Sequence, residues 1–158
     1  MTARTTSLLG LTLLMCGAAL AGGDPPKAVR WADDLHAARA EALRTRKPIL
    51  IVFGADWCGY CKKMERDTLA DPATAAAINE RFVPVHLDVT EREMTPAKKV
   101  AQILEVKTLP TCVILSPEAD LLGRVKGYQS PRKMGESLAA AEGVQARIRV
   151  TGAVAPPK

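Results

Sequence analysis

The clearest hydrophobic signal in the chain is Ile49-Leu50-Ile51-Val52-Phe53, an unbroken apolar run rich in β-branched residues. Such a run predicts a strand buried on both faces of a sheet. Ahead of it, Trp31, Leu35, Ala38 and Ala42 fall at helical spacing, which predicts a helix from Trp31 to Arg46. Asp33 and Asp34 near its start, and Arg44, Arg46 and Lys47 at its end, suit the helix dipole, and Pro48 stops it. A second helix is expected from about Cys58 to Thr68. Asp71-Pro72, a capping residue followed by proline at the first helical position, then opens a helical face over Ala73 to Phe82.

Val83 to Val89 alternates as a second strand does, and Pro84 within it implies that one N–H is not needed in the ladder. Thr95-Pro96 repeats the cap-and-proline signal for a helix ending near Leu104. Thr111 to Leu115 and Leu121 to Lys126 flank the turn-rich Ser116-Pro117-Glu118-Ala119-Asp120, which reads as a hairpin. Ser130-Pro131 opens the last helix; Val144 to Val150 is ambiguous, and residues 143–158 are expected to form a tail. Strand, helix, parallel strand, helix, then an antiparallel hairpin with a closing helix make an α/β layered fold with a mixed sheet.

Two terminal stretches are excluded from that domain, which is taken as residues 31–142. Arg4 precedes an apolar stretch from Leu8 to Leu20, and Ala19-Leu20-Ala21 supplies the small residues that a signal peptidase reads, so residues 1–21 are expected to be a signal peptide. Export follows, to the periplasm if the source is a Gram-negative bacterium. The alternative is a lipoprotein signal, with Cys16 acylated and retained as an anchor. Residues 22–30, with Gly22-Gly23-Asp24-Pro25-Pro26, read as a linker.

Composition narrows the class. With 158 residues, 47% hydrophobic and 25% charged, the chain is one globular domain and not a disordered segment. A formal charge of +5 permits weak attraction to anionic surfaces, but no nucleic-acid reading element accompanies it. Once the signal is removed, the cysteines are Cys58, Cys61 and Cys112, one close pair and a singleton. A bond between cysteines three apart closes a short loop that constrains little chain, so its purpose is to be made and broken.

The residues Pro48-Ile49-Leu50, Ala55-Asp56-Trp57-Cys58-Gly59-Tyr60-Cys61-Lys62, Thr108-Leu109-Pro110-Thr111 and Gly127 resemble the thioredoxin family over about Trp31 to Ala141. Within it, Ala55-Asp56-Trp57-Cys58 with Lys62, Glu65, Thr68, Asp71-Pro72 and Asp88-Val89-Thr90 is most similar to the C-terminal periplasmic domain of the bacterial transmembrane thiol reductant transporter. The resemblance implies a thioredoxin fold and thiol–disulfide exchange. It makes Cys58 the attacking thiol, Cys61 the resolving thiol and Pro110 a cis-proline facing them. Trp57, Gly59, Tyr60 and Leu109 become the substrate-contacting candidates. The redox group is the cysteine pair itself, without metal or added cofactor. The implied partners are disulfides of exported proteins and a membrane thiol reductant or other electron donor, with the chain acting as a monomer.

The chemistry fits the placement. A thiolate is the nucleophile, and backbone N–H groups at the first turn of a helix favour the anion. Cys61, one turn further in, is placed to attack the mixed disulfide. Other readings of the pair are a zinc half-site, a haem attachment site and an inert bond. Zinc needs four ligands and haem attachment needs a histidine after Cys61, where Lys62 stands. Cys112 reads as a small buried hydrophobe, Trp57 as a cover for the site or a packing residue, His36 as a helix-face residue and His86 as a strand residue.

Two departures from the family stand out. Val52 occupies the strand position where a buried aspartate often lies, and the lysine that accompanies it falls at about His86. Glu65, four residues past Cys61 on the same helical face, is therefore the candidate to relay a proton for Cys61, against the alternative of a solvated glutamate beside Lys62. A disulfide reductase is the leading function. Gly59-Tyr60, which matches the periplasmic disulfide isomerase, makes isomerisation the runner-up, and a non-catalytic binding module is the reading of a different class.

Overall fold

A computed structural model describes residues 28–152; the expected signal peptide, Cys16, most of the expected linker and the last residues of the expected tail lie outside them. The elements follow in the order α1 (Leu35–Thr45), β1 (Ile49–Gly54), α2 (Gly59–Met64), a π-helical turn (Glu65–Leu69), α3 (Pro72–Arg81), β2 (Val83–Asp88), α4 (Pro96–Ile103), β3 (Thr111–Leu115), β4 (Leu121–Lys126) and α5 (Pro131–Thr151). The sheet runs β2-β1-β3-β4, with β1 parallel to β2 and antiparallel to β3, and β3 antiparallel to β4.

Alternation along the two inner strands builds two cores. Leu50 and Val52 of β1, with Cys112 and Ile114 of β3, pack against Met64, Leu69, Ile78, Met134 and Leu138. Ile49, Ile51 and Phe53 face the other way with Val83, Val85 and Val113, under Ala38 and Ala42 of α1, and the partly buried Val100 and Leu104 extend this layer. An inner strand covered on both faces must be apolar at every position, and all six residues of β1 are buried.

The helix starts are set locally. The side chains of Asp71, Thr95 and Ser130 accept the N–H of Thr74, Lys98 and Lys133, and a proline fills the first helical position each time. α1 begins four residues later than its periodicity predicts. Asp34 caps it by accepting the N–H of Ala37 at 2.7 Å, and Trp31 and Ala32 lie outside the helix. The competing partner is the free edge of β2, where the Ala32 N–H donates to the Pro84 carbonyl at 2.8 Å. Val29 is buried in the core, and Asn79 fastens the same segment through the Arg30 N–H and the Ala28 carbonyl. The end of the expected linker is thus part of the domain.

The helix after Cys58 does not stay α-helical to Thr68. The Ala70 N–H reaches back to the Glu65 carbonyl, a five-residue closure. At 3.6 residues per turn, Leu69 would lie about 140° around the axis from Met64. The wider turn brings Thr68 and Leu69 both to the buried side, where the Thr68 hydroxyl donates to the Gln129 carbonyl.

α5 also corrects the expected boundary. It continues through Gly143 to Thr151, so residues 143–151 are helix and not tail. An internal glycine costs a helix about 0.5–1 kcal/mol. Packing of Val144 and Ile148 against the core offsets that, and the Arg149 side chain donates to the Arg46 carbonyl at 2.6 Å.

Candidate active site

β1 ends at Gly54, and the loop that follows is held before it reaches the cysteines. The Val89 N–H donates to the Gly54 carbonyl at 2.9 Å, and the Cys58 N–H to the Ala55 carbonyl at 3.0 Å. The Asp56 N–H donates to the Thr90 hydroxyl oxygen at 2.8 Å, while that hydroxyl donates to Asp88. The Thr90 hydroxyl holds the Asp88 carboxyl below the usual carboxylate range. Asp88, Val89 and Thr90 therefore fasten the loop carrying Trp57 to the end of the neighbouring strand.

Cys58 is the N-cap of α2, and its sulfur accepts the Cys61 N–H at 3.1 Å. The two cysteines form a disulfide with their Cα atoms 5.2 Å apart. Cys58 is 7% exposed and Cys61 3%, so the first cysteine is the nearer to solvent. Around them lie Ala55, Val89 and Leu109. The peptide between Leu109 and Pro110 is cis. Among the described residues, the Leu109 N–H and carbonyl have no hydrogen-bond partner. The loop is fixed on either side. Thr111 Oγ1 donates to the Thr108 carbonyl at 2.7 Å, and the Gly127 N–H donates to the Pro110 carbonyl at 2.7 Å. Gly127 makes that bond at φ 76°, a conformation in which glycine avoids the Cβ penalty.

Trp57 and Tyr60 stand out at 69% and 66% exposed, and a Cβ built on Gly59 meets nothing. Trp57 is not a core packing residue; with Leu109 it lines a groove of about 420 Å³ beside the cysteines.

Glu65 opens the π-helical turn, half-exposed, with its Oε1 3.9 Å from His86 Nε2. That separation is too long for a direct hydrogen bond. His86 sits in β2 opposite Val52, and its ring meets Trp31 edge-on at 5.8 Å. A Cβ placed on Gly54 would come within 2.8 Å of His86 Nε2 and 3.8 Å of Cys61 Cβ. The bare glycine thus leaves room for the imidazole, and Cys61 borders the same space. Reading His86 as only a strand residue missed this neighbourhood, although Val52 and His86 together marked the departure from the family pattern. His36 is an exposed residue of α1, outside the cluster around the pair.

Cys112 lies in β3 opposite Val52, 1% exposed. Burial pushes its thiol up to about 12.

A family model for a thioredoxin-like domain matches residues 35–142. The chain is similar to the thiol:disulfide interchange protein DsbD of Vibrio vulnificus, 37% identical over 83 residues, which are 52% of this chain and 14% of that protein. It is 32% identical over 107 residues to a protein disulfide-isomerase of Zea mays, covering 68% of this chain and 18% of that one. It therefore spans a small part of these longer relatives. Among solved structures, a thioredoxin from Thermus thermophilus superposes with a TM-score of 0.67 at 24% identity, covering 79% of this chain and 95% of that one. The DsbH oxidoreductase superposes at 0.64 and 17% identity, covering 87% and 95%. These two likenesses speak for the fold. The mixed four-stranded sheet, the Cys58–Cys61 pair at the start of α2 and the match over residues 35–142 agree that the chain belongs to the thioredoxin-like domain family.

Proposed function

We propose that this chain is a thiol–disulfide oxidoreductase that reduces disulfides of exported proteins. The observation that carries the reading is the Cys58–Cys61 pair, set against Leu109 of the cis-proline loop at the end of an otherwise closed core. In the reduced protein, the Cys58 thiolate attacks one sulfur of a client disulfide; a Cys58–client bond forms and the client's other sulfur leaves as a thiolate that takes up a proton. Cys61, deprotonated, then attacks the Cys58 sulfur. The Cys58–Cys61 disulfide forms, the second client thiol departs, and two electrons have passed to the client. A membrane thiol reductant restores the pair.

The unpaired Leu109 N–H and carbonyl are available to an extended client strand, as main-chain addition requires. Trp57, Gly59 and Tyr60 form the exposed ground around Cys58 on which the client rests. Proton removal from Cys61 is assigned to Glu65 acting with His86, a reading supported by the 3.9 Å separation of Glu65 from His86 and by the place of His86 and Cys61 on either side of the space at Gly54. Export, a periplasmic location and action as a monomer belong to the same reading.

Dithiothreitol-driven reduction of a protein disulfide tests it: turnover is expected from the wild type, and its absence overturns an enzymatic role in favour of a binding module. Gly59-Tyr60 and the similarity to the maize isomerase favour a second reading, disulfide isomerisation. Reactivation of a scrambled protein without net reduction separates the two.

A further inference from the structure

Resting on the oxidoreductase reading, we propose that the groove beside Trp57 selects client segments in which an apolar side chain is flanked by acidic residues. The groove's apolar wall includes Trp57, Val89 and Leu109, and Val89 and Leu109 also pack against the cluster that holds Cys58 and Cys61, so whatever enters the groove lies toward the cysteine pair and the cis-proline loop. Its rim carries Arg92 from the loop after β2, Lys98 from the first turn of α4 and Lys107 from the segment after α4. Among the described residues, none of these three side chains has an ion-pair or hydrogen-bond partner. Five cations elsewhere are ion-paired, Arg46 with Glu118, Lys63 and Arg66 with Asp67, Arg81 with Glu142, and Arg132 with Glu136; Arg39 and Arg44 on α1 are unpaired too, so what sets these three apart is their placement around one apolar groove. Glu91 and Glu93 flank Arg92 in sequence but do not line the groove.

Uncompensated charge of one sign around an apolar concavity raises the local concentration of oppositely charged ligands and repels like-charged ones. Three elements of the fold each supply one cation, so the field covers the groove and not a single contact. An acidic client gains two or three exposed ion pairs while its apolar side chain fills the space between Trp57 and Leu109. A basic client meets repulsion at the same places.

The test uses disulfide-linked peptides that share one apolar core and differ only in flanking Glu, Gln or Lys, reduced with dithiothreitol as electron source. The acidic peptide is expected to exceed the basic one in kcat/KM by roughly 5-fold or more at low salt, with the gap closing as salt screens it. In the Arg92→Gln, Lys98→Gln, Lys107→Gln protein the ratio falls toward one. Neutralising three exposed cations on other elements, Arg39, Arg44 and Arg147, leaves it in place. A ratio near one in the wild type, or one unmoved by the groove substitutions, overturns the proposal.

Hydroxyethyl disulfide, small and uncharged, reports separately on the oxidoreductase reading in the wild type. If neither it nor any peptide is reduced, that reading fails. Calorimetric affinities of the same peptides with serine for cysteine then decide the selectivity alone: tighter acidic binding supports it and equal affinities overturn it.

Discussion

Cys61 and Cys112 are almost equally hidden from solvent, at 3% and 1% exposed, yet the fold gives them opposite surroundings. Cys61 is on the first turn of α2, its N–H bonded to the Cys58 sulfur, in a small cluster at the end of β1. Cys112 is in the middle of the sheet, in the core that Val52, Ile114 and Leu122 share with α5. Accessibility of the residue therefore does not separate the disulfide-bonded cysteine from the free one. The difference is a partner sulfur and polar groups at a strand end, against apolar contacts within a closed layer that disfavour the thiolate.

The sharpest break of this comparison is substitution of each cysteine in turn. Cys58→Ser is expected to abolish dithiothreitol-driven reduction, Cys61→Ser to accumulate mixed disulfides visible by mass spectrometry, and Cys112→Ala to keep turning over. Wild-type turnover by Cys58→Ser would reverse the assignment. Next in size is the integrity of the core that hides Cys112. A chain ending after Glu142 loses the packing of Val144 and Ile148, and the urea midpoint should report about 2–3 kcal/mol lower stability, with faster alkylation of Cys112. An unchanged midpoint would restore residues 143–158 to the status of a tail.

On the redox side, His86→Gln and Glu65→Gln are each expected to slow the release of the mixed disulfide by roughly 10-fold, leaving the first attack by Cys58 unchanged. Stopped-flow kinetics resolve the two steps. Equal resolution rates in variant and wild type would leave solvent as the base. The smallest effect is in alkali. Since burial raises the Cys112 thiol from 9.0 to about 12, the unfolded chain releases that proton first, and stability falls as pH rises above the unfolded value. The loss attributable to Cys112 is on the order of 1 kcal/mol near pH 9.5 and is absent below about pH 8. Cys112→Ala should flatten that alkaline limb in denaturation measurements.

What the sequence could tell divides by the range of the interactions involved. The strand at Ile49, the caps at Asp71, Thr95 and Ser130, and the hairpin around Ser116 to Asp120 rest on neighbouring residues and are found where expected. α1 starts late because Ala32 bonds to Pro84, far along the chain. α5 runs on past Gly143 because Val144 and Ile148 have a core to cover and Arg149 reaches Arg46. The π-helical turn depends on where Thr68 meets Gln129. The cysteine pair and cis-proline are carried by motifs; the gathering of His86 and Cys61 around Gly54 is not, since the place of His86 follows from the parallel register of β1 with β2.

The bridge from Ala32 to β2 has a consequence for colloidal behaviour. β2 is an outer strand, and an outer strand with free N–H and carbonyl groups is a template on which other copies can pair. Pro84 already removes one donor from that rim, and Ala32 occupies the carbonyl of the same residue. Val29, buried in the core, and the two bonds of Asn79 keep this short guard seated. Proteolysis on the C-terminal side of Ala32 would strip the guard without touching the cysteine pair, leaving a molecule chemically competent but prone to edge-to-edge association.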